Sequence, residues 1–336
     1  MTSARMSLKG RLSPLERRQL RQLHRLDPRG NWAALAFFGL WSGTACALWN
    51  ATSPGTLAGG VGASSVAIHG LLNLMHDGIH GNLLRSRRWN YLLQFLCGAP
   101  SLLSTTAFRL LHVRHHRFLR TAADPDEPGN ISRSAWITTA AMLGILLGGG
   151  MFSSVRVPIV AWQWADPAER RRIVLETAAV WLLAIAACGL AIRSGQTTQA
   201  MLFFLLPWYG AGFIAASRGM FEHSLAAPDA AGLEARTVTS NRWLSLLNVN
   251  MNYHVEHHLF PGVPWYNLPR LHRLLRPHYV PAEGHESRGS YLRLVLDMLL
   301  GRLAFRPPPN PSPGLRVFAA PSDASEIPHP SHRHSA

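Results

Sequence analysis

Hydrophobic residues along this chain gather into six runs: Trp32 to Asn50, Gly55 to Met75, Trp89 to Phe108, Ala135 to Phe152, Ile173 to Ile192 and Met201 to Ala216, with arginine-rich segments between them. Each approaches the roughly 20 residues with which an α-helix crosses a hydrocarbon core. The pattern predicts an all-α polytopic membrane protein rather than one or two soluble domains. The first two runs flank a short, uncharged connection at 51–54 and read as a hairpin. Trp89 to Phe108 carries Gly98, Pro100 and the Ser104-Thr105-Thr106 cluster, breakers that fit a re-entrant or interfacial segment better than a clean span.

Just beyond or between these runs stand three histidine boxes: His76-Asp77-Gly78-Ile79-His80, His112-Val113-Arg114-His115-His116 and His254-Val255-Glu256-His257-His258. At 3.6 residues per turn, positions i, i+3 and i+4 fall within about 100° on one helical face. One short helix can therefore aim several imidazoles at one place. Neighbouring rings in an HxxHH box diverge by roughly 100°, so one can serve one ion while the next serves a second. Eight box histidines, with a ninth candidate at His223, exceed the four positions of a closed zinc site, and imidazole also suits iron and copper. A pair of iron ions is the better fit, with zinc the rival. Asp77 and Glu256 lie inside boxes, where a carboxylate can hydrogen-bond the far nitrogen of a ligating ring; the alternative for each is a solvated helix-end charge.

Three boxes share one site only if all lie on one side of the membrane. Between His116 and His254 there are three apolar runs, an odd number, so one of them does not cross. Ile173 to Ile192 and Met201 to Ala216 flank a short loop with a single arginine, Arg193, whereas Ala135 to Phe152 meets Arg133 and Arg156 at its flanks. The expectation is therefore that glycine-rich Ala135 to Phe152 dips into the membrane and returns. That leaves about four transmembrane helices plus re-entrant or interfacial ones, capped by a cytosolic histidine-box domain.

A net charge of +15 raises nucleic acid as a partner, but the basic residues flank apolar runs, as in Arg17-Arg18, Arg85 to Arg88 and Arg170 to Arg172. Positive flanks mark the cytoplasmic side of a membrane, here a bacterial inner membrane, and nucleic acid is not expected. Cys46, Cys97 and Cys188 are far apart and lack CxxC spacing, so reduced, packed thiols are expected. Residues 1–31 read as a basic amphipathic arm whose Leu15, Leu20, Leu23 and Leu26 make an apolar stripe suited to an anionic membrane surface. No cleavable signal peptide is expected. Residues 32–305 form the membrane domain, and 306–336, rich in Pro and Ser, read as a disordered tail whose His329, His332 and His334 are not ligand candidates. No internal repeat supports a secondary transporter, and boxes at span ends rather than mid-bilayer argue against one.

The boxes, their order and the stretch Asn252-Tyr-His-Val-Glu-His-His-Leu-Phe-Pro-Gly-Val-Pro-Trp-Tyr-Asn-Leu-Pro269 resemble the membrane fatty acid desaturases, a family that also contains lipid and carotenoid hydroxylases and ketolases. The likeness covers about residues 30–280, with Gly81 and Arg88-Trp89-Asn90 also fitting. It implies a di-iron centre at the cytosolic end of a four-span bundle, with O₂ as co-substrate attacking an unactivated C–H bond. The implied ligands are His76, His80, His112, His115, His116, His254, His257 and His258, with His223 in the place of a further histidine after the last span. A companion Asn-x-x-x-His pattern is broken here by Gly219, for which Glu222 is the candidate substitute. His69, two turns before His76, is expected to pack or line substrate rather than to ligate. The implied reaction is desaturation of a fatty acyl lipid; hydroxylation or ketolation by the same site is the alternative, and a non-catalytic metal store or transporter is a third reading. No fused haem, iron–sulfur or dinucleotide motif is evident, so electrons are expected from a separate ferredoxin or cytochrome b5-type carrier. Arg109, Arg114, Arg117 and Arg120 form a basic face that could steer such a carrier.

Overall fold

A computed structural model describes residues 8–127, 130, 132, 134–224, 235–278, 286–288, 291 and 300. Residues 1–7 of the basic arm and the whole 306–336 tail lie outside the described residues. The described chain is helical throughout apart from one parallel pair of three-residue strands, β1 (Thr237–Thr239) and β2 (Glu286–Arg288).

Helix α1 (Pro14–Leu23) opens with a capping box in which the Ser13 hydroxyl accepts from the Glu16 N–H and Glu16 reaches back to Ser13. Leu20 is buried and Leu23 packs on the main core, whereas Leu15 is exposed. The stripe expected to lie on a membrane surface thus docks mainly on the protein's own cap. Helices α2 (Trp32–Leu48) and α3 (Pro54–Ile79) form the expected hairpin. Small residues let them close: Phe37 covers Gly70 and Leu48 covers Gly60, positions where a Cβ would collide with those side chains.

The Trp89 to Phe108 run is broken as expected. Helix α4 (Arg87–Gly98) stops at a 3₁₀ turn, Ala99–Ser101, and Leu102 takes a left-handed φ of 54°. Ser104 then caps α5 (Thr105–Phe118) by accepting from the Ala107 N–H.

Among the described residues, four helices are long and apolar enough to cross a membrane: α3; most of α6 (Ala135–Ala161), from Trp136; α7 (Pro167–Arg193); and α8 (Thr197–His223). Helix α2, expected as a span, has 17 residues, roughly 25 Å at 1.5 Å per residue, a little short of a 30 Å core. Length also qualifies α6, the segment expected to dip. Its contacts nevertheless describe a dip. The helix breaks at Gly149 (φ 50°, ψ −131°), a conformation open to glycine. In the first half, Met142 packs with Met220 and Phe221, beside His223. The break rests on Tyr209 and Gly212, midway along α8. In the second half Ser154 bonds the Ser101 carbonyl, and Arg156 pairs with Asp126 at 2.9 Å, back beside the histidine-bearing α5. Both ends of α6 therefore meet elements at the box end of the bundle.

Helix α7 begins at a second capping box, Asp166 with Glu169, and Glu169 pairs with Arg109 of α5. Two turns further in, the buried Glu176 carboxylate accepts from the Ser104 hydroxyl at 2.7 Å, the Thr106 N–H at 2.8 Å, the Thr106 hydroxyl at 2.6 Å and the Tyr91 hydroxyl. Three elements converge on one carboxylate, which fixes the start of α5. Short helices α9 (Arg242–Leu247), α10 (His254–Leu259) and α11 (Leu268–Leu275) complete the cap.

Candidate metal centre

Each box is delivered by an element whose end is defined locally. Helix α3 runs past its apolar stretch to His76 and stops with His80 as its cap, released by Gly81 at φ 78°. Helix α5 carries His112, His115 and His116 in its last two turns. Helix α8 ends in a π-turn, Met220–Ser224, that carries His223; such turns recur at functional sites. A tight turn with left-handed Val249 and Asn250 leads into the six-residue α10, which holds the third box.

These elements bring all nine histidines together in two groups. Ligand atoms of His76, His112, His116 and His257 lie within 4.8 Å of one another, as do those of His115, His223 and His258. His80 joins the first group with Nε2 3.0 Å from His112 Nε2. His254 joins the second, with Nε2 2.7 Å from His223 Nε2 and 3.2 Å from His258 Nε2. The adjacent rings do split: His116 and His257 go to one group, His115 and His258 to the other, with interplanar angles of 88° within the second box and 85° within the third.

The donor set fits metal. Two imidazole nitrogens on one ion at about 2.1 Å stand roughly 3.0–3.4 Å apart, depending on coordination geometry; the His80–His112 and His254–His258 separations of 3.0 and 3.2 Å fall in that range, and the 2.7 Å between His223 and His254 is shorter. His257 is fully buried and neither of its ring nitrogens has a hydrogen-bond partner; His116 Nε2 is likewise unpartnered. Burial, reinforced by neighbouring histidines, holds His112, His116, His254, His257 and His258 well below the ordinary imidazole range. Neutral rings are the form a metal requires.

The carboxylates around the rings differ from expectation. Asp77 accepts from Asn82 Nδ2 at 2.8 Å and from the Trp265 N–H at 3.2 Å, so it ties the first box to the segment that follows the third rather than orienting a ring. Glu256 bonds His272 Nδ1 at 2.7 Å and the Thr237 hydroxyl at 2.6 Å. One helical residue is a 100° rotation, so a carboxylate next to a ligand in sequence faces a different wall. The ring-orienting partner that sequence reading missed is Asp124, whose Oδ1 lies 2.9 Å from His115 Nδ1. Burial opposes charge on His115, but the Asp124 carboxylate, together with Asp126 and Glu127, raises the ring to about 8. Asp124 also accepts the Arg120 and Asp126 N–H groups. The signal lay in Asp124-Pro125, a turn signature two turns beyond the box.

Glu222 lies with Oε2 3.5 Å from His254 Nδ1 and is clamped by Arg218, whose Nε and Nη2 donate at 3.0 and 2.8 Å. Arg218 also donates to Asn73 Oδ1 at 2.7 Å and to His69 Nε2 at 3.3 Å. His69 is thus packed in a polar network beside the second group, as its spacing implied. At Gly219 a Cβ would meet nothing within 4 Å. Of the expected basic face, Arg109 pairs with Glu169, Arg120 with Glu127, and Arg114 stacks on Phe118 and Trp164.

Comparison with known proteins gives the same picture. The family model described as fatty acid desaturase matches residues 54–288. The human protein named sphingolipid delta(4)-desaturase/C4-monooxygenase DES2 is 27% identical over 294 residues, 80% of each chain. The sn-1 oleoyl-lipid 12-desaturase of Synechocystis sp. is 24% identical over 65% of this chain and 68% of its own length. The chloroplastic omega-6 fatty acid desaturase of Brassica napus is 22% identical over 64% of this chain and 53% of its own. Because the family match spans more than half of the sequence and includes every segment that supplies a clustered histidine, the chain belongs to the fatty acid desaturase family and is a membrane oxidoreductase.

Proposed function

We propose that the chain is a di-iron, O₂-dependent acyl-lipid desaturase of a bacterial inner membrane, with its metal site on the cytoplasmic side. The observation that carries this reading is the division of nine buried or half-buried histidines into two adjoining groups. Iron bound there would supply O₂ activation and removal of hydrogen from an unactivated alkyl chain. His76, His80, His112, His116 and His257 would hold one ion, and His115, His223, His254 and His258 the other. Asp124 keeps the proton of His115 on Nδ1 and leaves Nε2 free to ligate. Phe108 stacks on His112 at 5.8 Å and gives the first group an apolar wall. Both α3 and α8 end at the histidines, so an acyl chain can approach along apolar helices without crossing water. Arg85 to Arg88 and Arg170 to Arg172 adjoin that same end, which supports a cytoplasmic placement.

Hydroxylation is the second reading, supported by a relative whose name joins desaturase to monooxygenase. Reconstituted protein loaded with iron, a reduced carrier and ¹⁸O₂ separates the two. A new C=C bond without ¹⁸O in the lipid is the expected result; labelled product assigns hydroxylation or ketolation. Tightly held zinc with no O₂ uptake would overturn both in favour of a metal store.

A further inference from the structure

The surface between α1 and α11 holds a groove of about 860 Å³, lined among others by Gln19, Gln22, Arg25, Tyr266, Arg270 and Arg273. All three arginines are exposed. Asp27 is the acidic residue of the lining, and its carboxylate is paired with Arg29 at 2.8 Å. The walls are pinned: Asn267 donates to the Leu23 carbonyl at 2.9 Å, the Asp27 N–H donates to the Tyr266 hydroxyl at 2.6 Å, and Glu16 meets His278 at 2.6 Å. The groove is therefore a preformed basic surface: among the described residues Arg270 donates only to the neutral Asn267 amide oxygen, at 3.4 Å, whereas on the α5 face Arg109 and Arg120 are paired with carboxylates and Arg114 is stacked on Trp164.

We infer that this groove is the docking surface of an acidic one-electron carrier protein, an inference that rests on the oxidase reading above. Two observations favour a carrier over an anionic lipid headgroup. The first is continuity with the metal groups. Tyr266 lines the groove, the preceding residue Trp265 donates its N–H to Asp77 Oδ2 at 3.2 Å, and Asp77 is bonded in sequence to His76. The route from groove to ligand is covalent except for that one hydrogen bond. The second is exchange. Desaturation breaks two C–H bonds, forms one C=C bond and reduces O₂ to two waters; two of the four electrons come from the substrate, and two, with two protons, come from outside. A one-electron carrier must visit twice per turnover. Exposed arginines steer encounter quickly while contributing little to residence time, which suits repeated exchange.

The test is direct binding of an oxidised acidic [2Fe–2S] ferredoxin, and separately of a soluble cytochrome b5, to the full chain in neutral-lipid nanodiscs, read without turnover and at several salt concentrations. The double reversal Arg270→Glu with Arg273→Glu is expected to weaken binding of at least one carrier by roughly tenfold or more and to flatten its salt dependence. The Arg270→Lys with Arg273→Lys pair should restore most of the affinity. Unchanged carrier affinity in the reversed variant would overturn the proposal, as would an effect seen only as lost adhesion to phosphatidylglycerol vesicles, which would assign the groove to headgroups. Failure of the oxidase reading would look different: tight carrier binding with no product. Product formation indifferent to the reversal would sink the docking surface alone.

Discussion

Replacing Asp124 by Asn removes one charge and one acceptor from the ring-orienting partner while keeping its shape. The carboxylate accepts three bonds, from His115 Nδ1 at 2.9 Å, from the Asp126 N–H at 2.9 Å and from the Arg120 N–H at 3.0 Å, with the first two on Oδ1 and the third on Oδ2. An amide has a single oxygen, so one side must face its NH₂. Losing a bond to a charged acceptor at a buried site costs about 1.5–3 kcal/mol. That agrees with the 10–100-fold, or about 1.4–2.7 kcal/mol, typical when the partner of a metal-binding histidine is removed. Because His115 belongs to the second group, Asp124→Asn should weaken one iron of the two. Chelator titration with metal analysis should then show two irons in the parent and one easily stripped in the variant. Asp126→Asn is the control: its ion pair with Arg156 is partly exposed and worth less than about 1 kcal/mol. Retention of both irons at parental chelator concentrations, or equal loss from the control, would refute the assignment of Asp124.

His257→Ala and His115→Ala should each abolish turnover and reduce bound iron while leaving membrane insertion intact, since both lie outside the long apolar helices; full activity in both would remove the site. Gly212→Ala drives a methyl into the Gly150 backbone, so the α6–α8 contact should lose about 1–3 kcal/mol or more, seen as a lower melting temperature in detergent; an unchanged melt would contradict that close approach. Glu176→Ala leaves the buried Ser104 and Thr106 donors, and the more exposed Tyr91 hydroxyl, without their acceptor, each buried donor costing about 1–3 kcal/mol, and Glu176→Gln should recover part of the loss. Equal stability of the three proteins would show that this carboxylate does not anchor α5.

Much of the site was legible in the sequence because helical periodicity is a strict ruler. The i, i+3, i+4 spacing singled out eight histidines that the structure gathers in one place, and the 100° step between neighbours anticipated the separation of His115 from His116 and of His257 from His258. That same step explains the misreading of Asp77 and Glu256, since adjacency in a helix turns a side chain away from its neighbour's target. Asp124 and the partners of Arg109, Arg114 and Arg120 depend on how a loop and a distant helix fold back, which no local period encodes. The Gly149 break was foreshadowed by glycine-rich composition, but its position follows from the packing of α6 against Tyr209 and Gly212. The sequence read as an amphipathic arm with an apolar stripe; what the stripe meets was set by α11, some 250 residues away.

Each group of histidines draws on the last box, His257 in the first and His254 with His258 in the second. During synthesis, neither is complete until residues 257 and 258 have been added, by which time the four long apolar helices found among the described residues have already been made. A nascent chain therefore exposes only fragments of either chelating set. The order of residues itself postpones capture of a redox-active ion until the surrounding bundle exists to enclose it.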